Sequence, residues 1–530
     1  EHSSRCCVDS VSTNISNMVH FRNGRLHEWR GTRGSFVVLA SVAAALLSSC
    51  CTFAVPQAVR GKVNESMNLD VQHSRYLGSI SKEPSFSNRA SFVAAGALLA
   101  GTTASVERLK WQQMSAEAET EAPVKPKKVR ITAFDSIRFF LIAYIVCGHF
   151  ISFAAPSPFV LKAISQINVV VGAFFALSGY VAAYTTTENA ERAASPKLLS
   201  TPAPKWILQR VFGYYPLHLL VLLIFSPMFL FSDVTFSGWP TAIWHGFLSA
   251  GMFQAWFPMH AEVWNAPTWF LSALTFAMAA LPFALPVLAK QSKAQLQRTG
   301  LVLFFVGLLP KLGYCYDHQA WGLLEGAMSP KAMPNLAIFN VQRFNPFYAL
   351  IEVLLGAVAC RMVMLDGAEG EEKAPKTNVL STALPLLGMV AVIVLRAMGV
   401  LQLSDLLTRA LVFIPLFLSF LMSAHRASVL PEVKDGVVKF LSSKFLVALG
   451  NLAFPIFVVH GPLGQLFYKK VIATKLFGGT MLAVFGPQFF YVYLATVMFA
   501  AWVLQKAFLT NKQVGSLSGK VVEKLSKLFP

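Results

Sequence analysis

The sequence predicts an all-α fold, a polytopic bundle of about ten transmembrane helices, and three observations lead to this prediction. Apolar residues make up 55% of the 530 residues and charged residues only 13%, whereas an ordinary soluble domain has about 25% charged residues. The mean hydropathy is +0.54. Lysine and arginine are concentrated in short segments between long apolar runs, which is how membrane proteins encode their orientation. These features exclude a soluble domain and a disordered chain.

Residues 1–130 are predicted to form a targeting presequence and a linker. Four arginines precede the apolar run 36–47, and small residues follow it, as in a secretory signal. Residues 56–90 are poor in acidic residues, and a second apolar stretch covers 91–104. This order resembles the plastid presequence of algae with three-membrane plastids, in which an aromatic-led motif similar to Phe53-Ala-Val-Pro56 follows the signal. The alternative is a plain secretory signal with a disordered linker, and Met18 is a candidate start of translation.

The membrane domain is predicted to cover residues 131–508. A helix that crosses a bilayer needs about 20 apolar residues. Ten stretches qualify: 135–153, 168–185, 207–231, 267–289, 299–315, 345–364, 380–399, 405–423, 446–468 and 479–506. The stretch 242–257 is too short and too interrupted. We interpret it as an interfacial or re-entrant piece, with an eleventh span as the alternative.

The distribution of basic residues supports ten spans with both ends on the same side. The segments on the side where the first span begins carry 24 lysines and arginines, and those on the opposite side carry 7. An eleventh span would invert everything after it and remove this bias. The last segment, 509–530, is a basic C-terminal tail. The net charge of +19 is thus explained by orientation, and nucleic acid is not an expected partner because no basic patch alternates with aromatic residues.

Three polar residues share one face of the first predicted span. Arg138 and His149 are 11 residues apart, so in a helix they differ by only about 20° of rotation and by about 16 Å along the axis. Asp135 lies three residues before Arg138 and is close enough to pair with it. Ionisable groups in hydrocarbon are costly and usually face an interior cavity. This face is therefore predicted to carry a cation near one surface and an imidazole deep in the membrane.

That arrangement suits acyl transfer from a thioester. A neutral imidazole in an apolar site can take a proton from a hydroxyl at neutral pH. The fork of an arginine matches the phosphate oxygens of a CoA-type donor. The alternative is that His149 only bonds a neighbouring carbonyl and that Arg138 only extends to the interface.

Later spans add further polar positions. Arg210 opens the third span, and a Trp269-Phe-Leu-Ser272 segment opens the fourth. In the second span, glycines and Ser178 allow close helix packing. In the ninth, a proline frees a backbone carbonyl near His460. Charges without an evident partner in the sequence are Glu352, Arg396 and Arg409.

Taken together, four motifs resemble the membrane-bound acyltransferase 3 family of multi-pass O-acyltransferases. The family's Asp-x-Leu-Arg with a later histidine appears as Asp135-Ser-Ile-Arg138 and His149. Its aromatic motif is intact as Phe174-Phe175-Ala-Leu177-Ser178-Gly179-Tyr180, and an arginine six before the proline of a Tyr-Pro-Leu is Arg210. The late histidine box appears as Leu449-Gly450, Phe454 and His460. The order and spacing of all four motifs are specific, whereas each alone is weak.

The sequence also departs from the family pattern at three positions. Phe139 stands where the family usually has glycine, and Gly213 where it usually has a second arginine. Leu274 replaces the acid of the Trp-x-Leu-Ser-x-Glu motif. These losses bear on donor affinity and substrate class, and they leave Arg138 and His149 untouched.

The resemblance implies transfer of an acyl group, commonly acetyl, from acyl-CoA to a hydroxyl of a sugar, lipid or other small acceptor. Donor-binding residues would be Asp135, Arg138 and Arg210, with His149 as general base or transient acyl carrier. The acceptor side would be lined by Phe175, Ser178, Trp269, Ser272 and His460. Acyl-CoA would be a co-substrate, and no metal or permanently bound cofactor is expected. A non-enzymatic transporter of a plastid metabolite or lipid is the alternative, although the sequence has no internal repeat of the kind that many transporters show.

Overall fold

The computed structural model describes residues 129–187, 203–329, 332–366, 379–429 and 435–528. Within these ranges the chain is almost entirely helical and contains no strand. The predicted presequence lies outside the described residues up to position 128.

The first helices form two antiparallel spans joined by a short helix. Helix α1 is Ala133–Phe150, which continues as a 3-10 turn, and α2 is Pro158–Ile164. Helix α3 is Ile167–Thr186. The Tyr184 hydroxyl at the end of α3 donates to the Val129 carbonyl just before α1 (2.7 Å). The beginning of α1 and the end of α3 therefore lie at the same end of the bundle.

The third predicted span is a broken helix that folds back on itself. Helix α4 is Ala203–Val211, and α5 is Tyr215–Ala250. Within α5, Gly238 has φ 77° and ψ 170°, a left-handed conformation open to glycine. After this kink the chain returns along its own first half, since the Tyr215 hydroxyl bonds the Ala250 carbonyl (3.2 Å). Most of the stretch 242–257 is thus a return arm of the third helix, and it falls largely within the third candidate span rather than forming one of its own.

The middle of the chain supplies five longer helices and one short one. Helix α7 begins with a capping box in which the Ser292 hydroxyl and the Gln295 side chain each bond the other's backbone N–H, which satisfies donors at a helix start. The helices are α6 Trp269–Ala289, α7 Lys293–Asp317, α8 Leu336–Phe344, α9 Pro346–Asp366, α10 Val379–Ala397 and α11 Asp405–Val429.

The C-terminal part contains one bent span, one straight span and several short helices. The helices are α12 Gly436–Leu441, α13 Lys444–Gly450, α14 Ala453–Tyr468, α15 Lys470–Phe477, α16 Met481–Phe485, α17 Phe489–Leu504 and α18 Lys512–Ser526. The last long helix begins at 489 rather than at 479, because Gly478 and Gly486 both have φ 79° and Pro487 follows. Helix α18 occupies the predicted basic tail and packs against α4.

In the described part of the chain, nine helical segments are long and apolar enough to cross a membrane. The pair formed by α13 and α14 is bent by 49° and gives a tenth span if it is counted as one. The prediction of an all-α polytopic bundle is confirmed.

The centre of the bundle is the close contact of α3 with α9. A Cβ atom added to Gly179 would lie 1.8 Å from the Val353 carbonyl oxygen, and one added to Gly356 would lie 1.8 Å from that of Ala176. Both positions therefore require glycine. The glycine-mediated packing expected for the second span is present here.

The charges that lacked an evident partner in the sequence are paired inside the bundle. The Arg409 guanidinium binds both carboxylate oxygens of Glu352, with Nε 2.7 Å from Oε1. Arg396 Nη2 lies 2.6 Å from Asp405 Oδ1. These pairs are buried, and pairing of this kind is what makes ionised groups tolerable in an apolar interior.

Candidate active site

Two imidazoles meet at the C-terminal end of α1. His149 lies in the last turn of α1 and is half-buried, and His460 in α14 is fully buried. His460 Nε2 is 3.2 Å from His149 Nδ1, and the rings stack with centroids 5.2 Å apart. The structure thus joins two residues that are 311 positions apart in the sequence.

The backbone of α14 determines which ring nitrogens carry protons. His460 Nδ1 lies 3.1 Å from the Ile456 carbonyl oxygen and 2.8 Å from that of Phe457. Carbonyl oxygens only accept, so Nδ1 of His460 carries its proton and Nε2 is an acceptor. His149 must then donate from Nδ1, which leaves the lone pair of its neutral ring on Nε2. A neutral imidazole in this tautomer is suited to attack a carbonyl carbon or to take a proton.

A proline in α14 ties a loop to the same place. Pro462 has no N–H, so the Val458 carbonyl lacks its usual helical donor. Asn265 Nδ2 donates to that carbonyl instead (2.9 Å). Asn265 is fully buried, and its Oδ1 has no hydrogen-bond partner among the described residues. The sequence had indicated the freed carbonyl, but it had not indicated that Asn265 would bind it.

At the opposite end of α1, one carboxylate organises two arginines. Asp135 Oδ1 is 2.8 Å from Arg138 Nη1, and Asp135 Oδ2 is 2.8 Å from Arg130 Nη2. The side chains of Arg138 and Arg130 are 33% and 66% exposed, so both remain accessible to an anion. Gly450 of α13 packs against the backbone of Asp135, where a Cβ atom would lie 2.2 Å from the carbonyl oxygen. The pairing of Asp135 with Arg138 has the geometry that the spacing predicted.

Arg210 lies at this same end of the bundle. Its Nη2 donates to the Thr185 hydroxyl in the last turn of α3 (2.8 Å), and its guanidinium lies 5.0 Å from the centre of the Trp206 ring. Since the end of α3 is next to the beginning of α1, Arg210 shares a face of the molecule with Arg130 and Arg138. Guanidinium groups gathered at one face suit a polyphosphate.

The residues expected to line the acceptor side lie deeper and already have partners. Phe175 is fully buried and stacks on Phe270 at 4.3 Å, with the Trp269 ring 6.2 Å away. Ser178 donates to the Phe174 carbonyl of its own helix (2.7 Å). The Ser272 hydroxyl accepts from the Ala255 N–H (3.2 Å). Contact of these residues with an acceptor therefore stays a prediction.

A second polar cluster lies where α5 folds back, and the sequence analysis did not identify it. Asp233, His245 and His260 form a hydrogen-bonded chain, with 2.8 Å between the first two and 3.0 Å between the two imidazoles. The Trp264 indole donates to the same carboxylate oxygen of Asp233 (2.9 Å). Asp233 and His245 lie in α5 on opposite sides of the kink at Gly238, and His260 lies in the loop that follows α5. In the described ranges, no group of three or more His, Cys, Asp or Glu residues is placed to hold a metal ion.

A family model described as an acyltransferase domain, Acyl_transf_3, matches residues 131–506. No curated protein and no solved structure has a significant match to the chain. The family match covers more than half of the chain and includes α1, α3, α4, α6 and α14, which carry all the residues expected to form the site. The chain therefore belongs to the Acyl_transf_3 family of acyltransferases, as a multi-pass integral membrane protein.

Proposed function

We propose that this acyltransferase moves an acyl group, with acetyl as the expected one, from acyl-CoA to a hydroxyl of a sugar, lipid or other small acceptor. The observation that carries the proposal is the placement of two features on a single helix. Helix α1 has the carboxylate-organised arginines at its start and the His149–His460 pair at its end. A donor bound through its phosphates at one end and an imidazole at the other are the two requirements of transfer through a membrane domain.

The cations would bind the donor. Arg138 and Arg130 hold fixed positions because Asp135 binds both, and Arg210 is oriented by Thr185. Preorganised guanidinium groups lose little conformational freedom when they bind phosphate oxygens. Asp135 therefore acts as a positioning residue, and the arginines act as the anion-binding groups.

His149 would perform the chemistry through Nε2. In one route, Nε2 takes the proton of the acceptor hydroxyl while the hydroxyl oxygen attacks the thioester carbonyl. The CoA thiolate leaves and is protonated. In the other route, Nε2 itself attacks the thioester, and the acyl-imidazole then gives its acyl group to the acceptor. Both routes need the tautomer that His460 favours by accepting the Nδ1 proton of His149.

The test uses purified protein with acetyl-CoA labelled in the acetyl group. We expect the wild type to consume donor, and His149→Ala to lose about 10²- to 10⁴-fold in rate, as is typical when a positioned base is removed. The variant should keep the elution volume and melting temperature of the wild type. Equal donor consumption by wild type and His149→Ala would overturn the assignment. Solute transport without donor consumption would instead support a transporter.

A plastid membrane is the proposed location, on the strength of the N-terminal sequence alone. A fluorescent protein fused after residue 130 should enter the plastid of an alga with three-membrane plastids. Retention of the fusion in the endoplasmic reticulum or its secretion would contradict this location.

A further inference from the structure

The Asp233–His245–His260 chain has the order of a catalytic proton relay. Asp233 is 5% exposed and His245 is fully buried, whereas His260 is only half-buried. Asp233 Oδ2 lies 2.8 Å from His245 Nδ1, and His245 Nε2 lies 3.0 Å from His260 Nδ1. The carboxylate is thus at the closed end, and an imidazole is at the accessible end.

The carboxylate determines the proton positions along this relay. A carboxylate only accepts, so His245 donates from Nδ1 and its Nε2 is an acceptor. His260 then donates from Nδ1 and keeps a lone pair on Nε2. When Nε2 of His260 takes a proton, its Nδ1 proton can pass to His245, whose imidazolium is stabilised by the adjacent Asp233 carboxylate.

The two imidazole pairs found in the described part of the chain differ in the group that accepts a hydrogen bond from the far end of each pair. The His149–His460 pair ends on two backbone carbonyls, which are neutral. The His260–His245 pair ends on a carboxylate, which carries the charge that an imidazolium needs as its counterion. The first pair is therefore suited to keep a neutral nucleophilic imidazole, and the second is suited to accept and hold a proton.

The loop that presents His260 is attached to the helix that holds His460. Trp264 connects the relay to α14, because its indole donates to Asp233 and its carbonyl accepts from Gln465 (2.7 Å). Trp264 has φ 53°, an uncommon conformation for a bulky residue that its surroundings must hold in place. The next residue, Asn265, binds the Val458 carbonyl two positions before His460.

We propose that His260, backed by His245 and Asp233, is a second catalytic imidazole, the general base that deprotonates the acceptor alcohol. This inference rests on the proposed function and selects its second route. His149 Nε2 attacks the thioester, a carbon–nitrogen bond forms as the carbon–sulfur bond breaks, and the CoA thiolate takes a proton from water. With its Nε2 acylated, His149 has no lone pair left to act as base.

The second half of the reaction then needs the relay. The alcohol O–H gives its proton to Nε2 of His260, and its oxygen attacks the acyl carbon on His149. The ester forms as the carbon–nitrogen bond breaks, and His149 is neutral again. The relay returns its proton to water, which balances the proton that the thiolate took.

The electrostatic surroundings of the relay are consistent with a base that is neutral before it acts. Burial lowers the pKa of His260 below its usual 6.5, and the neighbouring His245 lowers it further. Lys469, at the end of α14, faces Asp233, and burial lowers the pKa of this lysine while Asp233 raises it. Glu262, two residues after His260 in the loop, is paired with Arg343 of α8 (2.8 Å).

The test separates the two halves of the reaction. Full-length protein in detergent is incubated with acetyl-labelled acetyl-CoA, and the label retained on His149 is measured after rapid quenching. The loss of this label is then followed with 1-octanol, which needs a base, and with hydroxylamine, which attacks acyl-imidazoles without one. His260→Gln should acquire label as the wild type does, lose it to hydroxylamine at the wild-type rate, and lose it to octanol about 10²- to 10⁴-fold more slowly.

A second variant and a pH profile distinguish catalysis from a structural role. Asp233→Asn should also slow the loss of label to octanol. This variant provides the test if His260→Gln does not fold. In the wild type, the rate at which the label is lost to octanol should rise with pH to a plateau, with a midpoint below about pH 6.5. His260→Gln should not show this rise. The matched control is His318→Gln, because His318 contacts Tyr314 and belongs neither to the relay nor to the His149–His460 pair; this variant should behave as the wild type.

Three results would overturn the proposal. His260→Gln could lose its label to octanol at the wild-type rate, or folded His260→Gln could fail to acquire label. Wild type could also transfer acetyl to octanol without labelling His149, in which case the transferase function stands and only the carrier route and its second base fall. If the wild type neither acquires label nor consumes donor, the proposed function itself fails.

Discussion

Replacing Gly179 by alanine should separate the two central helices of the bundle. The added Cβ atom would lie 1.8 Å from the Val353 carbonyl oxygen, whereas ordinary contact begins at 3.4 Å. Helix α9 would have to move by about 1.6 Å, the difference between these two distances, because a backbone carbonyl inside a helix cannot rotate away. Overpacking of this kind typically costs about 1–3 kcal/mol.

The displacement also reaches a buried ion pair. Glu352 precedes Val353 in α9, and its Oε1 lies 2.7 Å from Arg409 Nε. A shift of the backbone by more than 1 Å would stretch this bond, and breaking a buried pair costs about 3–5 kcal/mol. We therefore expect Gly179→Ala to lose at least about 3 kcal/mol, which corresponds to a melting temperature lower by about 5 °C or more.

The assay is thermal unfolding of the purified protein in detergent, followed by tryptophan fluorescence. The matched control is Gly313→Ala in α7, because a Cβ atom there meets nothing within 4 Å. Alanine is the better helix former by about 0.8–1 kcal/mol, so this variant should be as stable as the wild type or slightly more stable. A melting temperature of Gly179→Ala equal to that of the wild type would refute the reasoning.

Three further predictions concern the imidazole pair, the donor face and the outer loop. His460→Leu should lower kcat about 100-fold or more, because the Nδ1 proton of His149 loses its hydrogen-bond acceptor. His460→Gln can still accept this hydrogen bond and should retain more activity, so equal rates for the two variants would contradict the prediction. Arg210→Gln should raise the KM for acyl-CoA about 10- to 100-fold at little changed kcat, as expected for a lost bond to a charged group, and an unchanged KM would exclude Arg210 from the donor site. Burial raises the pKa of Glu325 to about 8, an effect that Arg343 opposes and Glu262 reinforces. Between about pH 5 and 8 the folded state therefore binds one more proton than the unfolded state, and the free energy of unfolding should fall as pH rises through this range. Thermal unfolding across this range should be flatter for Glu325→Gln, and an unchanged slope would show that Glu325 does not titrate there.

The spans and the α1 pattern could be predicted because both are local properties of the sequence. A run of apolar residues identifies a membrane helix without knowledge of its neighbours. The spacing of Asp135, Arg138 and His149 needs only the helical repeat. The hydrogen bond between His149 and His460 is not local, and it was not predicted: the resemblance assigned both residues to the site but did not pair them.

The rest could not be predicted because it depends on contacts between distant segments. Glu352 and Arg409 are 57 positions apart, and several other charges were equally plausible partners. The Asp233–His245–His260 relay exists only because Gly238 reverses the direction of α5. A single glycine in an apolar stretch is not enough to predict that the helix turns back there. One signal was present: an aspartate and two histidines in a segment that contains no lysine or arginine.

The pairing of Glu352 with Arg409 has a consequence for how the protein is made. A span that enters the bilayer with a lone ionised residue at its centre pays about 2.5–3.5 kcal/mol on insertion scales. Helix α9 leaves the ribosome before α11, so until Arg409 is synthesised the only cation of this cluster available to Glu352 is Lys311 of α7, whose charge interacts with it in the folded protein. The bidentate pair with Arg409 forms only when α11 is in place, so chains truncated before Arg409 should be less stable in the membrane than chains that include it.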